Sequence, residues 1–307
     1  MDALQVTEQL YTSFMQNGYA VRTVAIDHLA DLEEELNDKH SQGLFDKTFY
    51  GERLVHFVFK IPKDLASAHS IIITSAPQPQ KTVAFNEDGK MYHLVIPPTY
   101  SFDTDTKVKS ILSRILDQEG YNLYRAALPV KLVAARSGLV KYGRNNITYT
   151  ETAGSFHRLK AFFSDLPAVA DNWLEPQLME SCHQCTACIK KCPTGAIAPD
   201  RFIIRAEKCL TFHNERNADF PDWVEPGWHN CLIGCMECQL CCPANRELFN
   251  WYEQTEQFTA EETELILRGI PRNQLPRFVI EKLERIYLLE DMELIPRNLR
   301  VLLSKHR

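Results

Sequence analysis

The sequence predicts an α+β protein drawn in three consecutive parts, 1–175, 176–250 and 251–307, and three observations predict it. Residues 1–175 mix helical and strand periodicities. All ten cysteines fall between Cys182 and Cys242. Beyond that stretch the apolar positions recur at helical spacing. With 307 residues of ordinary globular composition, the chain is long enough to bury a substantial core.

The elements follow in order. Leu4, Leu10 and Phe14 recur at helical spacing, and Gly18 is placed to end that helix. A strand follows at Tyr19–Ile26. Asp27 is placed to cap a second helix carrying Leu29, Leu32 and Leu36, with Glu33-Glu34-Glu35 as its solvated face. Val55, Phe57, Phe59 and Ile61 alternate with other residues and predict a strand, and Ser70–Thr74 predicts a buried one. Lys81–Phe85 and Met91–Ile96 flank Asn86-Glu87-Asp88-Gly89, a hairpin signal.

Val108, Ile111, Leu112, Ile115 and Leu116 form an apolar helical stripe stopped by Gly120. Pro129 opens a short helix that runs to Arg136 and closes at Gly138. Lys141–Thr150 is a polar, glycine-containing, aromatic segment leading into a strand at Ile147–Thr150. Ser155–Leu166 fits a strand or a short helix. In the tail, Thr259 and Glu262 make a capping-box pattern ahead of Leu265, Ile266 and Leu267. Phe278, Ile280, Leu283, Ile286 and Leu289 predict a second tail helix, and Leu299–Lys305 a third. The tail's basic residues, Arg268, Arg272, Arg277, Lys282, Arg285, Arg297, Arg300, Lys305 and Arg307, read as a solvated face.

The net charge is −6, so no global basic field recruits nucleic acid. The start, Met-Asp-Ala-Leu-Gln-Val-Thr-Glu, lacks the basic and apolar regions of a signal peptide, and no apolar run is long enough to span a bilayer. The expectation is a cytoplasmic protein with no membrane contact. Disulfides are disfavoured in a reducing cytoplasm, so clustered cysteines there point to metal ligation.

The cysteine spacing specifies the metal. Cys182, Cys185 and Cys188 are separated by two residues each, and Cys192 follows after three and precedes Pro193. In bacterial dicluster folds this run holds 4Fe–4S clusters, and its fourth cysteine ligates the other cluster. Zinc also uses Cys-x2-Cys pairs but has no use for a third cysteine at that spacing followed by Cys-Pro. The ligands read as Cys182, Cys185, Cys188 and Cys242 for one cluster, and Cys192, Cys209, Cys235 and Cys238 for the other. Cys241 competes with Cys242, but Pro243 after Cys242 mirrors Cys192-Pro193. Cys231 and Cys241 are left over and read as buried, inert thiols. His183, His213 and His229 lie near the cysteines in sequence but are not needed as ligands.

These residues resemble a known family. The run from Cys182 through Cys192-Pro193-Thr194-Gly195-Ala196, then Cys209-Leu210, Gly234-Cys235, Cys238-Gln239 and Cys242-Pro243 with Asn245, is similar to the epoxyqueuosine reductases. Those are cobalamin-dependent enzymes with two 4Fe–4S clusters, related to the reductive dehalogenases. Upstream, Ala134–Leu139, Gly143–Asn146, Gly154-Ser155-Phe156 and Asp165-Leu166-Pro167 follow the family pattern in the same order, so the resemblance covers about residues 95–250.

The resemblance implies a nitroreductase-like, cobalamin-binding N-terminal domain, a ferredoxin-like dicluster domain and a short helical C-terminal tail. It implies corrin contacts from Arg136, Gly143, Arg144, Asn145, Asn146, Ser155 and Phe156. It also implies a low-potential electron donor such as a ferredoxin or flavodoxin, and a small-molecule or modified-tRNA substrate. The sequence departs from the family where an aspartate precedes a Pro-Val pair: Tyr124–Val130 holds no carboxylate. The interval from Pro129 to Arg136 is shorter, Tyr142 and Arg144 replace a tryptophan and a lysine, and the tail is shorter. The nearest proton donors are Tyr124, Tyr142 and Tyr149. Three readings follow: a cobalamin-dependent reductase, a dicluster electron-transfer protein that binds no cobalamin, or a flavin held by the N-terminal domain. No Gly-x-Gly-x-x-Gly loop supports a dinucleotide site.

Overall fold

The computed structural model describes residues 1–305; Arg307 of the basic tail lies outside the described residues. Along the chain the strands are β1 (Ala20–Ala25), β2 (Ser70–Pro77), β3 (Gln80–Glu87), β4 (Lys90–Ile96), β5 (Leu123–Arg125), β6 (Lys141–Tyr142), β7 (Thr148–Tyr149), β8 (His157–Ser164) and β9 (Tyr252–Phe258). The helices are α1 (Ala3–Gln16), α2 (His28–Ser41), α3 (Lys47–Phe49), α4 (Asp103–Gln118), α5 (Val130–Arg136), α6 (Ala187–Lys191), α7 (Leu210–Asn214), α8 (Glu237–Leu240), α9 (Ala260–Leu267), α10 (Arg277–Arg285) and α11 (Ile295–Ser304).

The chain forms two compact units. One comprises Met1–Gln78 and Asp103–Cys185; the other comprises Pro79–Phe102 and the chain from Thr186 on. This grouping differs from three consecutive segments. The β3–β4 hairpin goes with the later residues because β9 pairs with β3.

In the first unit an antiparallel sheet runs in the order β1-β2-β8-β5. Val6, Leu10 and Phe14 of α1 and the stripe of α4 cover one face, meeting Ile72 and Phe162. Leu29 and Leu32 of α2 and Val133–Ala135 of α5 cover the other, meeting Ile71, Ile73 and Phe163. Helix α1 starts at a capping box between Asp2 and Gln5, and Gly18 takes φ +71° after it. Leu4 is exposed, and Val6 fills the face assigned to it. Asp27 makes no side-chain cap, because its own backbone is already helical. Glu33 and Glu34 are solvated as expected, but Glu35 is half-buried and paired with Arg136.

The strand expected over Val55–Ile61 is absent. Helix α3 runs into a π-turn, Tyr50–Leu54, and the chain then goes irregular. Only Val58 N–H reaches a strand-like partner, the Ala127 carbonyl at 2.9 Å, just past β5. Without a full ladder the alternation builds no continuous buried face: Val55, Val58 and Ile61 stay exposed, while Phe59 is half-buried against the core of this unit. The ambiguous stretch 155–166 is strand β8. It lies between β2 and β5 with helices on both faces, so it carries apolar residues on both and loses its alternation.

In the second unit the sheet order is β4-β3-β9. Asp88 and Gly89 both take positive φ, 52° and 79°, as a two-residue hairpin turn requires. Strand β9 corrects the expectation of an all-helical tail. It is a polar edge strand, parallel to β3 with one bulge, and it is anchored by Phe258 stacked on Phe85 with ring centroids 4.8 Å apart. The Thr259–Glu262 capping box starts α9. Helix α10 ends at Arg285, four residues before Leu289, where Tyr287 adopts φ +61°. Its buried face is Val279 and Leu283; Phe278 is exposed. Val83, Phe85, Leu94, Ile266, Leu283 and Leu299 share one core. Among the described residues no helix is long and apolar enough to cross a membrane.

Candidate functional site

In the second unit, short helical turns present the cysteines. Cys192 and Cys242 each take extended backbone straight after a turn of helix, with φ/ψ of −65°/111° and −76°/123°. The proline that follows each disfavours a helical conformation there and turns the residue out of the helix. Cys209 is extended at the start of α7 and receives hydrogen bonds from the Thr211 and Phe212 backbone and the Thr211 side chain. Cys235 receives one from Asn230 Nδ2 at 3.3 Å and one from the Glu237 backbone. Cys192 Sγ lies 3.5 Å from Thr194 Oγ1.

Burial pushes the Cys238 thiol well above the ordinary thiol range, with Cys235, Cys209, Cys192 and Cys188 adding to the effect. Burial also raises Cys209, and it pushes Cys235 up to about 12. Cys188, Cys192, Cys209 and Cys235 therefore all lie near enough to Cys238 to act on its charge. A bare thiolate is disfavoured there, whereas iron charge in place of the protons compensates both the burial and the mutual repulsion. Donors aimed at sulfur fit the same group. Among the described residues, no three His, Cys, Asp or Glu side chains form a site for a single metal ion.

Cys188 is buried and Cys242 half-buried in this unit; Cys182, buried, and Cys185, half-buried, belong to the first. The two left-over cysteines have protein partners of their own. The Cys231 thiol is 1 % exposed and donates to Asn230 Oδ1 at 3.1 Å. The Cys241 thiol points to the Cys238 carbonyl at 3.7 Å, and burial, with Cys242 beside it, pushes it up to about 11. His213 bonds to the Glu207 carbonyl at 2.8 Å. Burial, then Arg297 and Lys305, hold His229 down to about 4. No sequence signal marked Tyr100, which donates to Glu215 and lies against Gly234, or Asn230.

In the first unit the segment 141–156 folds around the β6–β7 hairpin. Gly143 is required by packing: a Cβ there would stand 2.5 Å from the Tyr149 ring and 2.6 Å from Asn145 Oδ1. Asn145 Nδ2 donates to Tyr149 Oη at 2.9 Å, and Asn146 adopts φ +60° while its carbonyl accepts from Lys131 at 3.1 Å. Arg144 donates to the Cys182 carbonyl at 2.8 Å, and its Nε is buried without a hydrogen-bond partner. Ser155 and Phe156 are buried at 2 % and 0 % exposure. His157 is held neutral by burial between Ser75 Oγ, at 2.9 Å, and Thr148.

Arg136 does not join this hairpin. Its guanidinium is committed to Glu35 at 2.7 and 3.0 Å and to Glu175 at 2.7 Å, beside Trp173. These residues line an acidic cleft of about 570 Å³ with Asp31 and Asp38. Of the three tyrosines, Tyr124 is exposed on β5. Tyr142 is buried, and burial followed by the Glu35 charge raises its pKa above the ordinary phenol range. Tyr149 is buried on Asn145.

Residues 181–245 match the 4Fe-4S double cluster binding domain. This chain is an iron–sulfur redox protein. It is related in sequence to epoxyqueuosine reductases. It is 30% identical to that of Aliivibrio fischeri over 162 residues, 52% of this chain and 41% of that one. It is 31% identical to that of Leadbetterella byssophila over 180 residues, 57% of this chain and 54% of that one. The chain spans about half the length of these curated relatives. In fold it is similar to the solved epoxyqueuosine reductase of Bacillus subtilis, with a TM-score of 0.69 at 21% identity, over 99% of this chain and 82% of that one. A solved epoxyqueuosine reductase with an epoxyqueuosine-modified tRNA-Tyr stem loop gives 0.69 at 20% identity, with the same coverage.

Proposed function

We propose that this chain is a cobalamin-dependent reductase, taking electrons from a ferredoxin or flavodoxin and delivering them to a small molecule or a modified nucleoside. The observation that supports it best is the folded hairpin around Gly143. Its residue order is that of the family, and it leaves Arg144 Nε as an orphan buried donor, the kind of group that an amide-edged corrin could satisfy. Arg136 does not fit that role, because carboxylates occupy it.

When bound, the two clusters and the corrinoid supply one-electron transfer and the reduction of the substrate. The chain's own residues do the rest. Cys182, Cys185, Cys188 and Cys242 would hold one cluster, and Cys192, Cys209, Cys235 and Cys238 the other. The N–H and O–H donors on Cys209, Cys235 and Cys192 stabilise the more negative, reduced state. Asn145 and Tyr149 fix the hairpin, and Asn146 holds its turn. Tyr124 is exposed to solvent, whereas Tyr142 keeps its proton because burial and Glu35 oppose ionisation.

The test is anaerobic purification, reconstitution with iron and sulfide, addition of cobalamin and gel filtration. About eight irons per chain, with cobalamin retained and showing a base-off spectrum, supports the reductase. Full clusters with no cobalamin retained leave the second reading, an electron-transfer protein for a partner. The missing carboxylate in Tyr124–Val130 and the engaged Arg136 favour that reading.

A further inference from the structure

Asn230 sits five residues before Cys235 with all four hydrogen-bonding positions of its amide used. Oδ1 accepts from the Met236 backbone N–H at 2.9 Å and from the Cys231 thiol at 3.1 Å. Nδ2 donates to the Trp228 carbonyl at 3.1 Å and to Cys235 Sγ at 3.3 Å. Two of these partners fix which end of the amide is which. A backbone N–H can only donate, so the atom facing Met236 is the oxygen. A backbone carbonyl can only accept, so the atom facing Trp228 is the nitrogen. The N–H therefore faces the Cys235 sulfur, and the Cys231 thiol, facing the oxygen, is a donor. Cys231 is 1 % exposed, so water does not compete for that contact.

We propose that Asn230 is a positioning residue of the iron–sulfur centre. Its amide N–H raises the reduction potential of the cluster held by Cys235, and the Cys231 thiol is a further donor that helps hold the amide in place, alongside Met236 and Trp228, rather than a ligand. The proposal rests on the reading that Cys235 is a cluster ligand. Reduction adds one negative charge to a cluster, and part of it falls on the thiolate sulfurs. A donor aimed at one of those sulfurs stabilises the reduced form more than the oxidised one. Cys235 keeps the Glu237 backbone donor when Asn230 is changed, so the cluster should survive and only its potential should move.

The experiment is an electron paramagnetic resonance-monitored redox titration of the reconstituted full chain, with iron counted in each sample. Asn230→Asp keeps the shape and the oxygen but replaces the donor to sulfur. At the potential where the wild-type cluster is half reduced, its reduced-to-oxidised ratio should fall about tenfold, a shift of ~59 mV for a one-electron couple. The other cluster should not move. Cys231→Ala should keep the full iron count and shift the same cluster the same way by less; Cys231→Ser, which can still donate, should restore it.

Loss of about half the iron in Cys231→Ala would make Cys231 a ligand and overturn the proposal. So would unmoved potentials in Asn230→Asp at full iron, or a Cys231→Ser variant that behaves like Cys231→Ala. If Asn230→Asp does not assemble, the Cys231 pair decides. Cys235→Ala separates the two levels: if it retains all its iron, the ligand reading has failed rather than the orientation argument.

Discussion

Gly143→Ala tests the hairpin on which the corrinoid reading depends. The added methyl would meet the Tyr149 ring at 2.5 Å and Asn145 Oδ1 at 2.6 Å, where ordinary contact begins near 3.4 Å. Both must give by roughly an ångström, and neither is a free surface group: Tyr149 and Asn145 are each 3 % exposed. Overpacking of this kind costs about 1–3 kcal/mol, and pulling apart the buried Asn145–Tyr149 hydrogen bond adds a cost of the same order, so the loss should be about 2–4 kcal/mol. Urea unfolding followed by circular dichroism measures it, with Gly51→Ala as the control in the same unit. Gly51 has nothing within 4 Å of its Cβ position and no positive φ, so that variant should stay within about 0.5 kcal/mol of wild type. A Gly143→Ala midpoint that matches the control would refute the packing argument. The same variant should also lose cobalamin retention if the hairpin carries the corrinoid.

Further outcomes follow from other contacts. Cys241→Ala should keep about eight irons and Cys242→Ala should lose about half; the reverse count overturns the ligand assignment. A double-mutant cycle on Glu35 and Arg136, each with only 16 % of its side chain exposed, should give about 1–3 kcal/mol of coupling in unfolding free energy. Coupling near zero would return Arg136 to the pool of residues free for a ligand. His157 is buried and its pKa lies below the ordinary imidazole value of about 6.5, so the unfolded chain binds its proton more readily. Its stabilising contribution is therefore present above about pH 6.5 and lost as pH falls toward the folded-state value. His157→Gln should flatten that part of the pH–stability curve, and a curve of unchanged slope would remove His157 as the cause.

The site was legible in the sequence where the chemistry is local. Cysteine spacing and the two Cys-Pro dipeptides place thiolates on short turns whatever the rest of the chain does, and the family order of Gly143–Asn146 marked the hairpin. Arg136 was legible as a residue but not as a contact. Its partners Glu35 and Glu175 lie on segments distant in sequence, and Glu33-Glu34-Glu35 carries no mark to show which carboxylate turns inward. Asn230 gave no signal, because only the folded loop shows four partners on one amide.

By itself the sequence determined the helices α1, α4 and α9, the β3–β4 turn at Asp88-Gly89, and the cysteine run that matches a 4Fe-4S double cluster domain. Each rests on periodicity, capping chemistry or spacing within a few residues. The tertiary structure decided the rest. It left Val55–Ile61 without a ladder, made a strand of polar β9 because β3 had an open edge, and took Pro79–Phe102 into the second unit. It also sorted ten similar thiols by what surrounds each one. The physical reason is the same throughout: a strand, an ion pair or a hydrogen bond to sulfur needs a partner, and the partner comes from elsewhere in the chain.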